Sequence, residues 1–173
     1  MENELPIEEI RTGDKPEQEP IEKWLTFWLD GQLYGASIIH TEQIISMVPV
    51  TVIPEYPVYA KGVIDLRGEI IPLIDMRLRF GKGEAAYTEQ TCIITCRING
   101  ALIGFIVDKV DAVIDISPEQ ISPPPRVKQD NAARYLVGIA RISNEAEAKD
   151  KIILCLDVTK ILRSEEIRSL IKD

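Results

Sequence analysis

His40 is the chain's single histidine, and Cys92, Cys96 and Cys155 are its only thiols. One imidazole cannot build a histidine-based metal cage, nor a nucleophile triad that relies on several histidines. Cys92 and Cys96 lie four apart, a spacing that would suit two metal ligands on a helix face. The intervening Ile93-Ile94-Thr95 is β-branched, however, so both thiols point to one side of a strand and read as core packing. Carboxylates are plentiful, with 28 Asp and Glu, yet no pair stands out from the background of surface charge as a general acid and base. The chain contains no G-x-x-x-x-G-K-[ST] loop, H-E-x-x-H helix or G-x-S-x-G elbow, and Gly81 and Gly83 are too few to cradle a phosphate. The expectation is a non-enzyme without metal or cofactor.

What remains is a chain that binds through its surface. Its 173 residues are 45% hydrophobic and 28% charged, enough for one domain or two closely associated small ones. No apolar run approaches a membrane-spanning length. An odd number of cysteines and no basic, apolar leader point to a reducing, cytoplasmic setting. Net charge is −8, but residues 1–22 hold eight acids against Arg11 and Lys15. That segment, with Pro6, Pro16 and Pro20, reads as a disordered acidic tail because it offers too little apolar area to offset the entropy of ordering. The near-neutral body presents no basic field, so nucleic acid and anionic lipid are poor partners.

The elements that must shape the surface emerge from an internal repeat. Thr26, Gly31, Leu33, Gly35, Pro49 and Pro54 recur 69 positions later as Thr95, Gly100, Leu102, Gly104, Pro118 and Pro123. The offset sets Asp30-Gly31 on Asn99-Gly100, dipeptides suited to two-residue hairpin turns with positive φ. Strands are expected at Trp24–Leu29 and Leu33–Ile38, and again at Cys92–Ile98 and Leu102–Val107. Farther on, Lys61-Gly62-Val63-Ile64 is similar to Val137-Gly138-Ile139-Ala140, and Ile70–Asp75 to Ile152–Asp157. Turn signals fall at Arg67-Gly68-Glu69 and Asn144-Glu145. Five short strands per copy fit a small barrel better than a free-standing sandwich. The expected fold is therefore all-β: a first barrel over about 23–80, a second over about 90–158, and a helix over about 158–172. Phe80 to Gln90 joins the barrels, and Ser122 to Asn131 is a proline-stiffened loop.

The run Lys61-Gly62-Val63-Ile64-Asp65-Leu66-Arg67-Gly68-Glu69-Ile70-Ile71-Pro72-Leu73-Ile74-Asp75-Met76-Arg77 resembles the K-G-V-x-N-L-R-G-x-I-x-P-x-x-D-L-R signature of CheW-like chemotaxis coupling proteins. The likeness extends from Trp24-Leu25-Thr26-Phe27 through Pro49–Pro54 and Val107–Val110 to Ser117–Ile121 and Ser164-Glu165-Glu166. It covers about residues 23–170. This resemblance implies two five-stranded SH3-like barrels sharing a core. It also implies a non-catalytic scaffold that bridges the cytoplasmic tip of methyl-accepting chemoreceptors and the regulatory domain of the histidine kinase CheA, recruited to receptor arrays at the inner face of the membrane. The family has Gln-Glu-Ile where this chain has Glu42-Gln43-Ile44, and Asn where it has Asp65. A one-residue shift turns the acid to the opposite strand face, leaving Asp65 as the carboxylate expected to accompany the motif arginine.

The expected protein-binding residues are Ile38, Thr41, Gln43, Ile44, Gly62 and Arg67. Each also has a structural reading: isoleucines as core, Gly62 as an unusual backbone angle, Arg67 as a turn residue pairing with Asp65 or Glu69. Competing functions are a self-assembling module, in which a barrel pairs with its pseudo-repeat on another copy, an adaptor for a different receptor-kinase pathway, and a small-ligand domain using the cleft between barrels.

Overall fold

A computed structural model describes residues 21–124, 133–143 and 149–171; the acidic tail expected at 1–22, apart from its last two residues, and the turn at Asn144-Glu145 lie outside them. Each copy opens with the expected hairpin. β1 (Glu22–Leu29) returns as β2 (Gln32–Ser37), and β6 (Cys92–Ile98) returns as β7 (Ala101–Val107). The turn residues Asp30 and Gly31 have φ of 51° and 81°, and Asn99 and Gly100 have 53° and 85°. This double positive φ matches the right-handed twist of the flanking strands and is strained for most residues with a β-carbon.

The remaining strands of the first copy are β3 (Thr41–Ser46), β4 (Ala60–Leu66) and β5 (Glu69–Asp75). Those of the second are β8 (Lys109–Ile116), the two-residue β9 (Ile121–Ser122), β10 (Leu136–Ile142) and β11 (Lys151–Leu156). The sheets are not assembled copy by copy. One runs β8-β1-β2-β11-β10-β9 and the other β3-β6-β7-β5-β4. This corrects the expected division at residues 80–90. Each copy's opening hairpin is completed by the later strands of the other copy, through parallel pairs of β2 with β11 (Cys155 opposite Gly35) and β5 with β7 (Leu73 opposite Gly104). The exchange has a packing reason: both faces of the hairpins are apolar, and only a central position in a sheet buries both.

Alternation along β1 and β6 divides the interior into three cores. Trp24 packs with Leu33, Ile116, Ala140, Ile153 and Cys155 inside one barrel, and Ile93 with Ile64, Ile71, Leu73, Leu102 and Ile106 inside the other. Leu25, Phe27 and Leu29, together with Ile94, Cys96 and Ile98, face the opposite way into one core common to both. Cys96 therefore packs as expected, and burial pushes its thiol up to about 12. An aromatic chain crosses this shared core, with centroids 6.0 Å apart from Phe27 to Tyr34, 5.7 Å from Tyr34 to Phe80 and 5.6 Å from Phe80 to Tyr135. Each such ring pair stabilises by about 0.5–1.5 kcal/mol beyond its burial.

Two short helices close the shared core. α1 (Met76–Arg79) begins where the Asp75 carboxylate accepts the Leu78 N–H, and α2 (Ser164–Ile171) buries Ile167 and Leu170. The helix expected from residue 158 begins later. Asp157 caps a single 3-10 turn at Val158–Lys160 by accepting the Thr159 N–H and hydroxyl, and the chain bends before restarting at Ser164. α2 is tied down by the Tyr56 hydroxyl, which donates to the Leu170 carbonyl, and by Tyr59, which donates to Glu166 at 3.1 Å. Among the described residues no helix is long and apolar enough to cross a membrane.

Candidate protein-binding site

β3 is an edge of the five-stranded sheet, paired only to β6. Ser37 ends β2 and caps the 3-10 turn Ile38–His40, its hydroxyl accepting the Ile39 N–H at 3.3 Å. This short turn leaves Ile38 partly exposed and Ile39 73% exposed. Along β3, Thr41, Gln43 and Ile45 are half-buried, whereas Glu42, Ile44 and Ser46 are exposed. Pairing slips between Thr41 and Gln43, so Glu42 has no opposite residue. Such a bulge turns one side chain out of the normal alternation.

Glu42 is held by Arg97 of β6. The Arg97 Nε donates to it at 2.7 Å, and a second Arg97 nitrogen lies 3.6 Å from Glu69. The Arg97 hydrogen bond, aided by its charge, keeps the Glu42 carboxyl below the usual carboxylate range. Because Glu69 opens β5, this bridge brings the β4–β5 turn to the same end of the sheet as the start of β3.

Arg67 occupies that turn. It has φ of 54°, followed by Gly68 at 87°, and is exposed. It makes no hydrogen bond or ion pair with any described residue. The expected carboxylate partner is used elsewhere: Asp65 Oδ1 accepts the Gly68 N–H at 2.9 Å and so fixes the turn. Glu69 faces Arg97. This corrects the assignment of Asp65 to the motif arginine, since a short Asp side chain reaches a backbone N–H three residues ahead more readily than a guanidinium pointing to solvent.

The structure thus sets Ile38, Thr41, Gln43 and Ile44 along the β3 edge and Arg67 in the β4–β5 turn at the same end of the sheet, but not Gly62. Gly62 is buried, with φ of 146°, and a β-carbon there would sit 2.2 Å from the Thr51 carbonyl oxygen. It serves the close approach of the 47–59 segment, which bridges to β4 through Thr51 and Val63. The other motif arginine is also structural. Arg77 binds Asp108 through two nitrogens at 2.8 and 2.7 Å, and Asp108 accepts the Asp30 N–H at 2.8 Å. Burial raises the Asp108 carboxyl's pKa, but the Arg77 hydrogen bond, with help from Asp30, outweighs it and holds the group below its ordinary range.

Sequence reasoning missed Arg97 and Ile39, and offered Glu69 as a partner of Arg67 where the structure pairs it with Arg97. The repeat held a usable signal for Arg97, because it pairs a charged residue with Trp28 at the offset of 69, each the penultimate residue of an otherwise mostly apolar strand. Among the described residues no cluster of three or more His, Cys, Asp or Glu could hold a metal ion. What the site can do is bind: apolar Ile38, Ile39 and Ile44 stand beside a charged rim, the composition of a protein interface.

Comparison with known proteins matches residues 23–166 to the CheW-like domain. The chain is 32% identical over 146 residues to the chemotaxis protein CheW of Klebsiella aerogenes, covering 84% of each. It is 30% identical over 166 residues to the chemotaxis protein CheW of Bacillus subtilis, covering 95% of this chain and 97% of that one. The crystal structure of a scaffolding protein, TtCheW from Thermoanaerobacter tengcongensis, superposes with a TM-score of 0.72 at 33% identity, covering 86% of this chain and 92% of the other.

Proposed function

This chain belongs to the CheW-like domain family, and from that premise we propose that it is a chemotaxis coupling scaffold working without catalysis. Its partners are the cytoplasmic tip of methyl-accepting chemoreceptors and the regulatory domain of the kinase CheA, and it works in the cytoplasm at the receptor array. The observation that carries this reading is Arg67: the motif arginine stands at a turn with no partner among the described residues, at the end of the sheet where the open β3 edge begins.

An edge strand with exposed Ile44 supplies burial area, and the rim sets orientation. Reversing the sign of a charge that faces a partner costs up to several kcal/mol, whereas a guanidinium left in solvent contributes little to folding. The Ile38 and Ile44 side chains form the apolar part of the same contact, the polar Thr41 and Gln43 flank it, and Gly62 supports it from below by positioning β4.

Mixing the purified protein with a receptor-tip fragment and the kinase regulatory domain, then measuring complex mass by light scattering, tests the proposal. A complex containing both partners is expected. Binding of neither rejects the coupling role, and large homo-oligomers formed without any partner favour the self-assembling module instead. Binding a receptor tip but no CheA domain points to a different receptor-kinase pathway.

A further inference from the structure

On the side of the molecule formed by α1, α2 and the start of β10 lies a pocket of about 590 Å³ lined by Arg79, Arg134, Tyr135, Lys160, Arg163 and Glu166. Four cations meet one carboxylate, and that carboxylate is already committed. Glu166 Oε1 accepts from Arg79 at 3.0 Å and from the Arg163 N–H at 2.7 Å, and its Oε2 accepts the Tyr59 hydroxyl at 3.1 Å. Arg79 is fixed over the Tyr59 ring, 4.4 Å from its centroid, and donates to the Ile161 carbonyl. Arg163 has only long contacts, 3.8 Å to Glu165 and 3.7 Å to Glu166. Arg134 and Lys160 are exposed and form no ion pair with a described residue. A chain of net charge −8 therefore carries a walled pocket of positive potential.

We propose that this pocket binds the chain's own acidic N-terminal segment, residues 1–20. The strand register places the two together. Trp24 of β1 is opposite Ser37 of β2, Ala36 is opposite Leu156 of β11, and Leu156 is opposite Leu136 of β10. The start of β1, the exit of β11 toward Lys160 and the entry to β10 from Arg134 thus share one end of the sheet. Three strand spacings separate β1 from β10, about 15 Å, which five extended residues span at roughly 3.3 Å each. Glu17 and Glu19 lie within that reach and Asp14 just beyond it, in a segment whose seven acids face only Arg11 and Lys15.

Each contact formed in this way is weak and screened by salt. The short tether compensates, because it holds the acids at a local concentration in the millimolar range. The segment needs no fold of its own to be held, which agrees with its having only Met1, Leu5, Ile7 and Ile10 as large apolar residues among twenty. Any acidic group of a partner would have to displace it, so the tail acts as a built-in competitor for the pocket.

Amide spectra of the full chain, compared with a variant carrying Glu4, Glu8, Glu9, Glu17 and Glu19→Gln and Asp14→Asn, test the proposal. Expected are shifts at Arg134, Lys160 and Arg163 that are independent of protein concentration and vanish at roughly 0.5 M salt. In an Arg134→Glu, Lys160→Glu background the tail neutralisation should move nothing at the pocket. If that background fails to fold, Arg134→Gln with Lys160→Gln reads the same loss. Identical spectra, shifts confined to another surface, or shifts that persist in the pocket variants overturn the proposal. Concentration-dependent shifts assign the pocket to a second copy's tail and overturn it as well.

Discussion

β3 and β8 are the same edge built twice. Each is the third strand of its copy, each pairs with the first strand of an opening hairpin, and each slips by one residue at equivalent places, leaving Glu42 and Asp111 unpaired. The two bulges are secured differently. The single hydroxyl proton of the fully buried Thr26 is shared between Asp111 at 2.9 Å and the Ala112 carbonyl at 3.1 Å, and the same oxygen accepts the Ala112 N–H at 3.2 Å. Among the described residues its counterpart Thr95 makes one side-chain bond, to the Gln43 carbonyl at 3.3 Å. Glu42 is instead held from outside by Arg97. A duplicated backbone has thus kept one edge pinned from the core and tied the other through surface charge, and the loosely pinned edge carries the exposed isoleucines.

The strongest test of the equivalence acts on the glycines behind both edges. A β-carbon at Gly138 would lie 2.4 Å from the Ser122 carbonyl oxygen, much as one at Gly62 would meet Thr51. Both contacts are with backbone, so Gly62→Ala and Gly138→Ala should each destabilise by about 3 kcal/mol or more, read by denaturant unfolding. Gly62→Ala should be worse, because its φ of 146° adds backbone strain. Equal, small effects would break the structural pairing of the copies.

Next comes the difference in pinning. Thr26→Val should cost about 1–3 kcal/mol, since it strands a backbone N–H and two acceptors, and Thr95→Val about 1 kcal/mol. A reversed order would mean that the β3 edge is the more firmly held. For Arg67→Glu, the melting temperature should stay within a few degrees, while affinity for the kinase domain or receptor tip falls at least roughly tenfold, about 1.4 kcal/mol. Unfolding of this variant would make Arg67 structural, and normal binding of both partners would move the interface elsewhere. The smallest effect concerns titration. With its pKa depressed, Glu42 adds stability that is present above the ordinary value of 4.5 and lost as pH falls through the lowered one. Carboxyl NMR should show Glu42 titrating below the exposed glutamates, and Arg97→Gln should return it to them.

The hairpins were legible because Asp-Gly and Asn-Gly dictate their turns locally, and the strands because both faces of β1 and β6 are written in β-branched and aromatic residues. The exchange of strands was not. A repeat tells which segments are alike, and either copy's later strands present similar apolar faces to either hairpin, so the choice rests on burying the shared core. At the site, the signal Arg67-Gly68-Glu69 marked the turn that holds Arg67. It gave no sign that Asp65 would cap that turn, because Asx geometry depends on backbone angles that a pattern of residue types does not carry. Gly62 was readable only as a choice between surface and strain, which the packing of Thr51 against it resolves.

The strand exchange also sets a schedule for synthesis. The Gln32 side chain reaches the Ile152 carbonyl, 120 positions away, and β2 is lined on one side by β11 alone. The barrel built on β1 and β2 cannot close until nearly the whole chain has left the ribosome, whereas the other needs only residues up to Val107, because loop closure over the longer separation is slow and is rewarded only at the end. The first hairpin, apolar on both faces, must wait exposed through that interval. A nascent chain of this protein therefore leaves the apolar faces of its first two strands unburied for longer than a chain of two consecutive barrels would.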